Sequence, residues 1–150
     1  DREIQSRWPI PADTHHTESF GTILDLMPTI LNLTDTQAPE GYILDGYDLR
    51  AVHAGETKQT FLMHFPHKHR SSYFTTWHNG DWKLIYQYHG EPRLQLFNLE
   101  KDPNERNDLA GQNPELLQGM LSEMKHALKE SGALFPTSQK LGESTYPHLN

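Results

Sequence analysis

At 150 residues the chain has room for one domain of ordinary size, with a core that needs no covalent staples. It contains no cysteine, which excludes disulfides, thiolate metal sites and cysteine nucleophiles. Its net charge of −7 argues against a general nucleic-acid binder, which needs a basic face, and no run reaches the roughly 20 apolar residues of a membrane-spanning helix. Only 35% of the residues are hydrophobic, and ten prolines and ten glycines point to a loop-rich chain. This composition favours a piece of a larger protein whose remainder covers some of its apolar surface. No signal peptide is visible, which carries no information on localisation for a fragment.

Residues 1–20 show no clear period, and Trp8-Pro9-Ile10-Pro11 reads as an extended, proline-stiffened segment. Residues 22–33 are apolar at Ile23, Leu24, Leu26, Met27, Ile30, Leu31 and Leu33, which predicts a short buried helix. Asp25 is its expected N-cap, which places Pro28 in the first turn, where a missing N–H is tolerated. Residues 34–50 are rich in turn formers. A strand cluster follows: a short one at Phe61-Leu62-Met63, one from Ser72 to Trp77, one from Trp82 to Tyr88, and a half-buried one from Arg93 to Leu99. His78-Asn79-Gly80-Asp81 predicts a hairpin with a type I′ turn, which needs positive φ at both central residues. Asn113-Pro114-Glu115 opens a helix whose Leu117, Met120, Leu121, Met124 and Leu128 form one apolar stripe, and Gly132 stops it. The tail from Phe135 to Asn150 is irregular. A helix with one stripe needs a sheet to lie on. The expected fold is therefore α+β: an antiparallel sheet of about four strands packed against the C-terminal helix.

Ten histidines invite a metal reading, yet no helical i, i+4 pair occurs with the usual zinc spacing, and Pro66 opposes a helix around His64, His67 and His69. His15-His16 is a bare pair in a loop. There is no G-x-S-x-G elbow and no phosphate-cradling glycine loop. Trp77, Trp82, Tyr86 and Tyr88 could offer a sugar-stacking platform, against the plainer expectation that many of them face the core. Asn32-Leu33-Thr34 fits a glycosylation pattern but lies in a helix expected to be buried, and is read as chance. What remains is the acid-free stretch from His64 to Arg70. Imidazoles there can donate hydrogen bonds to sulfate or sugar oxygens, and Arg70 can fork onto an oxyanion. His64, His67, His69 and Arg70 are thus candidate substrate-binding residues. A solvated, histidine-rich loop accounts for the same residues on these grounds.

The chain resembles the C-terminal portion of the sulfatase family, within the alkaline-phosphatase-like superfamily. Asp25 to Leu31 resembles a D-x-x-P-T-x-L helix, and Asp45-Gly46-Tyr47-Asp48-Leu49 a D-G-x-D/S-L segment. His64-Phe65-Pro66-His67 resembles a W-H-Y-P-H-like stretch, and Gly80 to Ile85 a G-D-Y-K-L-I strand. Leu96 to Leu99, with Asp102 to Glu105 and Asn107 to Ala110, resembles L-Y-N-L-x-x-D-P-x-E-x-x-N-L-A; Gly132 to Pro136 resembles a closing G-A-x-x-P. The resemblance implies residues 1–50 as the tail of a large α/β domain and 51–150 as a C-terminal subdomain. It implies hydrolysis of sulfate esters of a sulfated carbohydrate or an aryl alcohol, and a periplasmic or extracellular setting. It also implies a formylglycine nucleophile, made from C/S-x-P-x-R, and a calcium ion in the parent protein. This sequence has neither motif nor cysteine, so no catalytic residue and no metal ligand is carried over. The implied partner is the missing N-terminal catalytic domain. The chain alone is expected to be inactive and to shape the substrate pocket; a free-standing carbohydrate- or anion-binding module is the alternative.

Overall fold

The computed structural model describes residues 20–54, 60–69, 72–91 and 93–135, together with Trp8. The chain divides into two compact units, Asp1–Gln59 and Thr60–Asn150. A helical turn at Leu49–His53 spans the 50/51 position drawn from the sequence.

In the first unit a 3-10 turn, Ile23–Asp25, runs into helix α1, Leu26–Leu33; a short helix α2 follows at Leu49–His53. Asp25 occupies the N-cap of α1 as expected, but its carboxylate makes no capping bond. It accepts instead from the Thr22 amide at 2.5 Å, the Thr22 hydroxyl at 3.0 Å and the Tyr47 amide at 2.8 Å. One turn on, the Thr29 hydroxyl donates to the Asp25 carbonyl at 2.6 Å and accepts from the Leu49 amide at 2.8 Å. Both residues are buried, and together they tie the segment before α2 to the start of α1. Gly46 is required by that approach: a Cβ there would lie 2.2 Å from the Leu24 carbonyl oxygen. Asp48 caps α2 by accepting from the Arg50 amide at 2.9 Å, and the Arg50 guanidinium holds its carboxyl below the ordinary carboxylate value. Asn32 is exposed at the end of α1, contrary to the buried position expected, and its amide donates to Asp48 at 3.0 Å.

The second unit is an antiparallel sheet in the order β1-β2-β3-β4, with β1 Thr60–His69, β2 Ser72–Asn79, β3 Trp82–Gln87 and β4 Leu94–Asn98. Helix α3, Pro114–Glu130, follows. The register pairs Leu62 with Trp77, Trp77 with Leu84 and Leu84 with Leu96, so these four share one face. Met120, Leu121, Met124 and Leu128 of α3 pack with Leu84, Tyr86, Tyr88 and Leu96 in one core cluster. The stripe read from the sequence is therefore the buried stripe. Tyr86 and Tyr88 are core, and Trp77 and Trp82 pack against it, which favours the plainer reading of the aromatic residues.

Two elements differ from expectation. β1 is much longer than Phe61–Met63 and runs through Pro66. An edge strand has one side with no ladder bond to lose, so it tolerates proline. The hairpin turn is Gly80-Asp81, closed by the Asn79–Trp82 pair, and of its two residues only Gly80 has positive φ (+56°). That is the pattern of a II′ turn, with Asn79 drawn into the strand, where its amide donates to Glu123 of α3 at 2.8 Å. At the far edge, Leu96 gives its carbonyl to the Leu109 amide at 2.8 Å and its amide to Asp108 at 3.1 Å. The polar 101–112 loop thereby covers the β4 edge.

Candidate functional site

The stretch singled out in the sequence lies at the end of β1, beside β2. Between Phe65 and His69 strand β1 advances four residues, while its partner advances only two, from Phe74 to Ser72. A bulge of this kind re-aims side chains at a sheet edge. Pro66, which has no N–H to donate, lies within it.

His64 lies before the bulge, opposite Thr75, on the face that α3 covers. Its Nδ1 is 2.7 Å from the Thr75 hydroxyl and its Nε2 is 2.7 Å from the Leu134 carbonyl. The Thr75 hydroxyl is in turn 2.8 Å from the Tyr88 hydroxyl. The ring of His64 stands edge-on to Tyr88 (6.0 Å between centroids) and to Phe135 (5.4 Å). His67 lies within the bulge and is exposed, its ring 6.5 Å from that of Phe65. Phe65 pairs with Phe74, on the face opposite His64. The structure therefore does not bring His64 and His67 together: one engages the chain's own groups and the other faces outward. The side chain of His69 lies outside the described residues, as do Arg70 and the His15-His16 pair.

A second histidine has an unusual environment. Burial is the main cause that pushes His78 down to about 4, with the nearby Lys83 charge adding to it and Glu105 opposing it. His78 pairs with Lys83 across β2 and β3, on the face opposite His64. Lys83 is bridged to Glu105 at 2.6 Å, and Glu105 holds a left-handed φ of 55°. Among the described residues, no three His, Asp or Glu side chains converge to hold a metal ion. The link of His64 to Thr75, Tyr88 and the Leu134 carbonyl escaped the sequence reading. Their partner His64 lies up to 70 residues away, and no local spacing marks such contacts.

A family profile described as N-sulphoglucosamine sulphohydrolase, C-terminal, matches residues 4–133. The human steryl-sulfatase is 26% identical over 155 aligned positions, covering 81% of this chain. An uncharacterized sulfatase of Schizosaccharomyces pombe is 25% identical over 115, covering 70%. The chain spans only 26% and 20% of the length of those two relatives. Among solved structures, Ps i-CgsB in complex with k-i-k-neocarrahexaose is 26% identical, with a TM-score of 0.50, covering 69% of this chain and 23% of that one. The structure of BT4656 with its substrate D-glucosamine-2-N,6-O-disulfate has a TM-score of 0.55 at 19% identity, covering 72% and 24%. That likeness is one of fold.

Proposed function

Because the chain belongs to the family of N-sulphoglucosamine sulphohydrolase C-terminal regions, we propose that it is the C-terminal part of a longer sulfatase that hydrolyses sulfuric esters of a carbohydrate. Two things support a sugar substrate: the family's own description, and the similarity to Ps i-CgsB, whose structure holds an oligosaccharide. The observation that carries this chain's own role is the bulge at the end of β1, which leaves His67 exposed beside Phe65. An imidazole there donates a hydrogen bond to a sulfate or hydroxyl oxygen, and an aromatic neighbour offers a face to a sugar ring. His69 and Arg70 follow in sequence and are proposed as further substrate contacts. His64, placed with them from the sequence, is proposed as their support.

The reacting groups belong to the preceding polypeptide in this proposal. The formylglycine nucleophile and calcium ion implied by the resemblance are assigned there, since this sequence carries no C/S-x-P-x-R motif. No residue of this chain is given a step that involves either group. The partner is the catalytic domain of the same polypeptide. Helix α1 supports this, because Leu26, Met27 and Ile30 are each at least half exposed on a helix whose buried side is already filled by Pro28, Thr29 and Leu33. Apolar side chains exposed away from a helix's own packing side mark a surface for another structure to cover. A periplasmic or extracellular setting is proposed on the same family grounds.

The test is the coding DNA upstream of Asp1, together with an assay of the pure chain. An upstream C/S-x-P-x-R in frame, and no release of sulfate by the 150-residue chain, is the expected pair of results. Turnover by the pure chain, or an upstream frame without the motif, would sink the proposal.

A further inference from the structure

We infer that His64 is a positioning residue: it pins the segment after α3 to strand β1 and so fixes the base from which the bulge and His67 project. A directional chain of hydrogen bonds carries the inference. The Leu134 carbonyl can only accept, so in a ring that carries one proton that proton sits on Nε2, 2.7 Å away. Nδ1 is then an acceptor and receives the Thr75 hydroxyl proton over 2.7 Å. With its own proton spent, the Thr75 oxygen accepts from the Tyr88 hydroxyl over 2.8 Å. The chain runs Tyr88 to Thr75 to His64 to Leu134. It links the end of β3, the middle of β2, the edge strand β1 and the residues beyond α3.

The surroundings fit a structural link. Thr75 is fully buried and Tyr88 is 3% exposed. The rings of His64, Tyr88 and Phe135 stand edge to edge within 5.4–6.4 Å. The Thr75 and Tyr88 hydroxyls are buried beside these rings, so breaking their bonds to His64 and to each other would leave a buried hydroxyl unpaired, whereas the His64–Leu134 bond lies at the exposed end of the chain. The helix end delivers the tail to this point. Gly132 takes a left-handed φ of 63°, its amide donates to the Lys129 carbonyl at 3.2 Å, and the Ala133 amide donates to the Leu128 carbonyl at 3.0 Å. This is a Schellman stop. It turns the chain so that Leu134 presents its carbonyl to His64. Both ring nitrogens are thus committed within the chain, whereas His67, three residues on, is exposed.

The structural part of the inference stands on this geometry alone; only the consequence for substrate rests on the sulfatase reading. The first test uses the unmutated 150-residue chain. Nitrogen NMR of the His64 ring at neutral pH should show the proton on Nε2. A proton on Nδ1 overturns the inference. The second test separates the two bonds. His64→Gln keeps a donor near the Nε2 position, and His64→Asn keeps an acceptor near Nδ1. Amide exchange at Ala133 to Phe135 should stay within about threefold of wild type in His64→Gln and speed up about tenfold or more in His64→Asn and His64→Ala, as expected for loss of a single hydrogen bond. Equal protection in all three variants would refute the link. In the complete enzyme, His64→Ala and Thr75→Val should each lower kcat/KM, and the double variant should fall no further than the worse single one. Additive losses, with the tail still protected, would make His64 a direct substrate contact and overturn the inference. Absence of sulfatase activity in the complete protein would sink only the functional reading and leave the NMR result intact.

Discussion

Gly46→Ala isolates the contact that joins α1 to the segment before α2. The new methyl carbon would lie 2.2 Å from the Leu24 carbonyl oxygen, 2.3 Å from the Leu24 carbonyl carbon and 2.7 Å from the Asp25 amide nitrogen. All three are backbone atoms, so relief requires the two segments to separate. Overpacking of this kind costs about 1–3 kcal/mol. Separation also strains the bonds from the Tyr47 amide to Asp25 and from the Leu49 amide to Thr29, each contributing about 1 kcal/mol. The sum, about 3–5 kcal/mol, corresponds to a loss of about 100- to 5,000-fold in the local closing constant. Amide exchange at Tyr47 and Leu49 reads it directly. Gly119→Ala is the control: nothing lies within 4 Å of its Cβ position in α3. That change should stabilise by about 0.5–1 kcal/mol through the helix preference of alanine. Exchange at Tyr47 and Leu49 within about threefold of wild type in Gly46→Ala would refute the close-approach argument.

Three further outcomes follow from the structure. His78 sits at about 4 against an ordinary 6.5, so as pH falls the unfolded chain takes up the proton first; its stabilising contribution is full above 6.5 and is lost between 6.5 and 4. His78→Asn should therefore flatten the fall of urea midpoints across that window, and an unchanged slope would contradict the assignment. Met124 is fully buried in the core cluster, so Met124→Ala should cost about 2–5 kcal/mol in urea unfolding; a cost below about 1 kcal/mol would mean that α3 does not seal the sheet. Glu105 carries both a left-handed φ and the bridge to Lys83, so Glu105→Gly should be less destabilising than Glu105→Ala, by about 1 kcal/mol. Equal effects would show that the backbone at that position is unstrained.

Much of the second unit was legible because its signals are local. The apolar stripe on α3, the stop at Gly132 and the alternation in β3 and β4 depend on periods of a few residues, and the structure follows them. The length of β1 was not legible, because a proline reads as a strand end unless the strand is known to be an edge. The turn type depended on whether Asn79 belongs to the loop or the strand, which its long-range bond to Glu123 favours. The candidate site was legible as a stretch of basic-capable side chains but not in the different surroundings its histidines take. Alternation alone puts His64 and His67 on opposite faces, and the bulge that complicates it comes from the register with β2. The partners of His64 lie 11 and 70 residues away, which no pattern along the chain reveals. For Asp25, the sequence located the helix start but not its chemistry, since the Tyr47 amide that it holds is 22 residues on.

The most direct test of the central claim is His67→Ala in the complete enzyme, assayed in parallel on a sulfated oligosaccharide and a simple aryl sulfate. A hydrogen bond from His67 to a charged or polar sugar substituent should make kcat/KM for the oligosaccharide fall by about 10- to 100-fold, while the aryl sulfate changes by less than about threefold. Equal losses on both substrates, or no loss on either, would contradict the claim that this chain reads the sugar.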